Sequence, residues 1–151
     1  MRVLVTGGAG YIGSHSCKAL AAAGHDPIVY DNLSTGHREF VKWGAFEQGD
    51  IRDAARLRDV LDRYRPELVM HFAALAYVGE SVKDPARYYD VNVTGMATLL
   101  EAMRAASVGR LVFSSTCATY GEPQAMPIEE TFAQQPINPY GFTKLVAEKM
   151  L

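Results

Sequence analysis

Apolar positions fall into two alternating patterns along the chain. Short apolar runs, Val3–Thr6, Pro27–Tyr30, Ala45–Gln48, Leu68–Phe72 and Leu111–Ser114, have strand length and predict the strands of βαβ units feeding a parallel sheet. Between them lie stretches of helical period, Tyr11–Ala23, Ala54–Tyr64 and Pro85–Ala106, with a last helix opening near Tyr140. Asp84 followed by Pro85 reads as an N-cap and first-turn pair, and Gly24 and Gly109 stand where helices should stop. Strands alternating with helices predict an α/β fold, a doubly wound parallel sheet ordered 3-2-1-4-5. The proline-bearing stretch from Glu122 to Pro139 predicts a long irregular loop. The chain ends at Lys149-Met150-Leu151 inside a helical pattern with no capping signal, which reads as a break before a further domain.

Composition adds little and excludes several classes. With 48% hydrophobic and 21% charged residues over 151 positions, one ordinary core is within reach. Fifteen Lys and Arg against seventeen Asp and Glu leave −2, no field for nucleic acid or an anionic membrane. Cys17 and Cys117 form neither a disulfide framework nor a zinc pattern, and the apolar start is cut short by Thr6-Gly7-Gly8, so a cytoplasmic location is expected. His15, His25, His37 and His71 lack the spacing of metal ligands and are read as structural, with no metal site.

Chemistry enters directly after the first strand. Gly7, Gly10 and Gly13 repeat every third residue, and Gly8, Gly10 and Gly13 also satisfy the Gly-x-Gly-x-x-Gly spacing. At a strand-to-helix turn, such glycines let the backbone approach a pyrophosphate at the helix N-terminus. Asp31 ends the second strand, at the separation expected of an acid that accepts the adenosine ribose hydroxyls and repels a 2′-phosphate, which favours NAD over NADP. Read alone, it is equally a solvated strand-end or capping residue. Tyr140 and Lys144 stand at i and i+4 on the last predicted helix. A free tyrosine titrates near 10 and needs a neighbouring cation to serve as a base, a service Lys144 can supply; by itself the pair is also an ordinary exposed helix pair. Ser114-Ser115-Thr116 follows the fifth strand at the carboxyl edge, either as a substrate-binding hydroxyl or as a hydroxyl-capped turn.

Taken together, Thr6 to His15, Asp31-Asn32-Leu33-Ser34, Gly49 to Asp53, His71-Phe72-Ala73-Ala74, Val78-Gly79-Glu80-Ser81, Phe113 to Thr116, Tyr120-Gly121 and Pro139-Tyr140-Gly141 resemble the extended short-chain dehydrogenase/reductase superfamily, in particular its sugar-nucleotide epimerases. The likeness covers nearly the whole chain. It implies a Rossmann fold over residues 1–151, incomplete and lacking a smaller C-terminal substrate domain, so that the fragment alone would be inactive. It implies bound NAD, held by Tyr11 and Ile12 at the pyrophosphate, by Asp31, Asn32, Leu33, Ser34, Thr35 and Gly36 around the ribose, and by Asp50 and Ile51 at the adenine. Phe72, Ala73, Ala74, Leu75 and Ala76 would line the cofactor and Asn92 would touch it. Tyr140 would be the proton acceptor, Lys144 would hold the nicotinamide ribose, and Thr116 would bind the sugar hydroxyl. The implied reaction is reversible C4 inversion of a UDP-hexose through a 4-keto sugar, in a protein that is a homodimer when full length.

Two positions depart from part of the family: Ala76 where some members carry lysine, and Thr116 where many carry serine. The rival readings are another sugar-nucleotide epimerase, a 4,6-dehydratase, and a non-catalytic NAD sensor. Dehydratases place acids just after the active-site Ser or Thr, where this chain has Cys117-Ala118, and sensors commonly lose the Tyr or Lys that it keeps.

Overall fold

A computed structural model describes all residues from Met1 to Leu151. The chain divides into two compact units, Met1–Ala74 with Ala97–Ser114, and Leu75–Met96 with Ser115–Leu151.

The first unit holds a sheet of β1 (Arg2–Thr6), β2 (Asp26–Asp31), β3 (Ala45–Gln48), β4 (Leu68–His71) and β5 (Leu111–Phe113). All pairings are parallel and the order is β3-β2-β1-β4-β5, the doubly wound arrangement expected. Central β1 is closed to solvent from Val3 to Thr6, which is why its sequence is apolar on both faces. Helices α1 (Tyr11–Ala22) and α2 (Ala54–Tyr64) follow β1 and β3. Val3, Val5, Ala9, Cys17 and Val29 form a buried cluster joining α1 to the sheet, with Leu20, Trp43 and Phe46 packed around it. His71 is structural: its Nδ1 lies 2.6 Å from the Thr6 hydroxyl across β1 and β4, and its ring stacks on Phe113.

The second unit contains α3 (Val78–Lys83), α4 (Pro85–Tyr88), and α6 (Pro139–Met150). A π-helical turn at Tyr89–Thr94 continues α4 and leads into α5 (Gly95–Ala105). The single helix expected at Pro85–Ala106 is therefore interrupted by a stretch with one extra residue per turn, a change of hydrogen-bond register that leaves composition untouched. Asp84 caps it as expected, accepting the Arg87 N–H. The short helix α3 was not foreseen, because only Ser81 of its six residues is buried and no apolar stripe forms.

The stop of α5 also differs from expectation. The Val108 N–H returns to the Met103 carbonyl, and Ser107, not Gly109, takes the left-handed conformation at φ 58°. Helix α1 closes the same way on Gly24, at φ 76°, without the steric penalty of a side chain.

Candidate functional site

The glycine turn of the first unit is built by close backbone contacts. Gly7 adopts φ 75°, and a Cβ there would lie 2.5 Å from the Ala73 nitrogen; a Cβ on Gly13 would lie 2.2 Å from the Gly7 carbonyl oxygen. Only glycine fits either place. The turn delivers α1 with Gly10 as an N-cap that has no side chain to offer, and with no acid in the first turn. The N–H groups of Tyr11, Ile12 and Gly13 consequently have no intrahelical acceptor and carry the positive end of the helix dipole. Tyr11 and Ile12 expose 76% and 56% of their surface.

Asp31 is buried beside the turn. One carboxylate oxygen accepts the Ala9 N–H at 3.0 Å and the other the Leu33 N–H at 2.8 Å. The following loop bends through Leu33 at φ 60° and is tied back by the His37 N–H to the Ala9 carbonyl. Asn32, Ser34 and Thr35 are exposed on it. A Cβ on Gly36 would sit 2.8 Å and 3.0 Å from the two Asp31 oxygens, so glycine leaves the carboxylate open on that side. Two of the four acceptor sites of Asp31 remain for a ligand.

Asp50 is differently placed. It takes four donors, the Arg52 N–H, Nε and Nη2 at 2.9, 2.8 and 2.7 Å and the Asn32 Nδ2 at 3.0 Å. The Arg52 guanidinium holds its carboxyl far below the usual range. Ile51 is buried next to it, while Phe72, Ala73 and Ala74 are half-buried where β4 ends. A dinucleotide suits these residues: glycines whose missing Cβ atoms leave room, an uncapped helix N-terminus for a pyrophosphate, and a carboxylate with spare acceptors for hydroxyls.

In the second unit Asn92, buried on the π turn, clamps two segments. Its Oδ1 accepts the Leu75 N–H at 2.9 Å, and its Nδ2 donates to the Leu75 carbonyl and the Thr143 hydroxyl, both at 3.0 Å. Both backbone groups of Leu75 are thus committed to protein, whereas Ala76 is exposed.

Helix α6 starts at an Asn138 cap whose oxygen accepts the Gly141 N–H. Tyr140 is half-buried, and Lys144, one turn on, is 5% exposed; its burial lowers the ammonium pKa to about 8. The i, i+4 spacing has therefore placed a half-buried phenol and a buried ammonium on one face and not an exposed surface pair. Thr116 opens a short 3₁₀ turn, Cys117–Tyr120, its hydroxyl accepting the Ala118 N–H at 3.2 Å. A Cβ on Gly141 would come 2.5 Å from the Ala118 carbonyl oxygen, so the glycine after Tyr140 lets α6 touch this turn. Thr116, Tyr140 and Lys144 thus share the second unit. Sequence reasoning passed over Glu148, another turn along the Tyr140 and Lys144 face, which the same i+4 arithmetic would have found. It accepts from Ser115 Oγ and, at 2.6 Å, from Gln134 Nε2.

Known proteins resemble the whole of this arrangement. A UDP-glucose 4-epimerase of Rhizobium meliloti is 61% identical over 149 residues, which are 99% of this chain and 45% of that protein. The crystal structure of UDP-glucose 4-epimerase from Brucella ovis in complex with NAD superposes with a TM-score of 0.98 at 59% identity, over 99% of this chain and 46% of that one. That of the Thermotoga maritima UDP-glucose 4-epimerase with UDP-glucose gives 0.95 at 40% identity, over 99% and 50%. The chain thus spans about half the length of the relatives it matches. Its residues 3–151 match the model of one family along their whole length, glycine turn and Tyr140 helix included, and the chain belongs to the NAD dependent epimerase/dehydratase family.

Proposed function

We propose that the chain is the cofactor-binding and proton-handling part of an enzyme that interconverts UDP-glucose and UDP-galactose by inverting C4. The observation that carries this reading is the joint presence of an uncapped glycine turn with an open Asp31 carboxylate and of a half-buried Tyr140 and a buried Lys144 on one helix face. The similar UDP-glucose 4-epimerases, one solved with NAD and another with UDP-glucose, support it. In this reading residues 1–151 bind NAD, a substrate domain follows them, and the full-length protein is a cytoplasmic homodimer that reads the sugar mainly through that later domain.

When bound, NAD supplies reversible hydride acceptance at C4. The N–H groups of Tyr11, Ile12 and Gly13 hold its pyrophosphate and Asp31 accepts the adenosine ribose hydroxyls. Tyr140 takes the proton of the 4-hydroxyl as the 4-keto sugar forms and returns it after the sugar has turned over. The Lys144 ammonium favours the phenolate by charge and donates to the nicotinamide ribose. Because its titration near 8 makes the cation scarce in alkali, that support fades as pH rises past this value in the cofactor-free protein. Thr116 already accepts the Ala118 N–H, so its own O–H is left to donate to the sugar oxygen.

The test is Tyr140→Phe in the full-length protein. NAD and UDP-hexose should stay bound while epimerisation of UDP-galactose falls by roughly 10²- to 10⁴-fold, the worth of general acid–base catalysis. Near-normal turnover would make Tyr140 a packing residue and overturn the assignment.

A further inference from the structure

We propose that Glu148 is a positioning residue that sets the Thr116 hydroxyl against Tyr140 by holding the turn between them at a second point, a role that rests on the epimerase reading. Helix α6 touches the Ser115–Ala118 turn twice. Near its start Gly141 lies against the Ala118 carbonyl, with no room for a Cβ. Toward its end Glu148 accepts the Ser115 hydroxyl. Seven residues of helix separate the two contacts, roughly 10 Å at 1.5 Å per residue, and Tyr140 and Lys144 sit on the same i, i+4, i+8 face. Thr116 is the residue next to Ser115, and its hydroxyl and carbonyl shape the 3₁₀ turn through the Ala118 and Thr119 N–H groups. With only the Gly141 contact the turn could pivot; with Glu148 as well, the position of Thr116 along α6 is determined.

The other oxygen of Glu148 accepts Gln134 Nε2, which ties the loop before α6 to the same carboxylate. The Ser115 hydroxyl and the Gln134 amide are neutral donors, one on each Glu148 oxygen. A glutamine at 148 would still offer one carbonyl oxygen to Ser115.

The experiment uses the full-length protein carrying Glu148→Ala, Glu148→Gln, Ser115→Ala and the Glu148→Ala/Ser115→Ala pair. Displacing a substrate-positioning group by about 1 Å costs on the order of 100-fold. Glu148→Ala and Ser115→Ala should therefore each lower kcat for UDP-galactose by about 10- to 100-fold with KM nearly unchanged. The double variant should lose no more than the worse single, because both remove one contact. Glu148→Gln should recover to within about 5-fold of the parent. In parallel, backbone amide exchange over residues 115–121 should quicken at least about 10-fold in Glu148→Ala while β1 stays as protected as in the parent.

Losses that multiply in the double variant, a normal kcat in either single, or unchanged exchange over 115–121 would overturn the proposal. If Glu148→Ala does not fold, Ser115→Ala carries the test alone, and normal kcat and exchange there overturn it. A parent protein that holds NAD yet leaves UDP-galactose unchanged would defeat the epimerase reading, and the exchange rates would then decide whether Glu148 holds the turn.

Discussion

Lys144 is the one lysine among the buried residues, and replacing it by methionine should make the cofactor-free protein more stable. Methionine keeps the length and apolar stem while removing the ammonium that burial penalises. The ordinary lysine value of 10.5 describes the unfolded chain, and the folded value is about 8. At about 1.4 kcal/mol per pH unit that difference amounts to about 3 kcal/mol. The sign follows from proton counting. Between pH 8 and 10.5 the unfolded chain binds the proton more tightly, so the parent gains stability as pH rises through this window. Below pH 8 both states are charged and the full penalty applies; above 10.5 both are neutral and it is gone. Urea titrations of parent and Lys144→Met from pH 6 to 11 should therefore show the variant ahead by about 3 kcal/mol at pH 7, with the gap closing between 8 and 10.5. A gap that does not change with pH, or a parent that is the more stable at pH 7, would refute desolvation as the dominant influence on Lys144.

If Asp31 holds the ribose as proposed, Asp31→Ala should weaken NAD more than NADP, measured as paired dissociation constants, because its carboxylate would accept ribose hydroxyls and repel a 2′-phosphate; equal losses would refute the assignment. It should also lower stability without any cofactor by about 2 kcal/mol in urea, since the Ala9 and Leu33 N–H groups lose their acceptor. Ser107→Gly should raise stability by about 0.5 to 1 kcal/mol in the same assay, because Ser107 is exposed and holds φ 58° at the end of α5; a loss would mean that its side chain matters there.

Central β1 and β2 were legible because parallel strands closed on both faces demand unbroken apolar runs, and all five strands were placed to within about a residue. The glycine turn was legible for a similar reason: Gly7 and Gly13 occupy places where a Cβ would overlap backbone atoms, so the spacing records a steric fact. What escaped has no comparable signature. The π turn at Tyr89–Thr94 shifts hydrogen bonds without changing residue types, and six-residue α3 buries too little to be periodic. At the end of α5 the glycine signal pointed two residues late, to Gly109, because the left-handed position fell on a serine. The Tyr140 and Lys144 spacing was visible, yet burial of Lys144 comes from distant segments packed on α6, one of them tied to it by Asn92 and Thr143 across 51 positions of sequence.

Hydrogen-bond capacity orders the residues that the family likeness nominated around NAD. Asp50 has four donors on its four acceptor sites, so it can turn to an adenine only by releasing Arg52 or Asn32. Asn92 has both amide hydrogens engaged and one oxygen lone pair left, and Leu75 has no free backbone group. Asp31 keeps two acceptor sites, and Tyr11, Ile12 and Gly13 keep N–H groups that no helix carbonyl can reach. Buried polar groups that are already paired resist exchange, because a broken pair leaves a desolvated atom behind. Affinity for the dinucleotide should therefore concentrate at Asp31 and the start of α1, while Asn92 acts through what it holds: Leu75 on one side and, through Thr143, the helix that carries Tyr140 and Lys144.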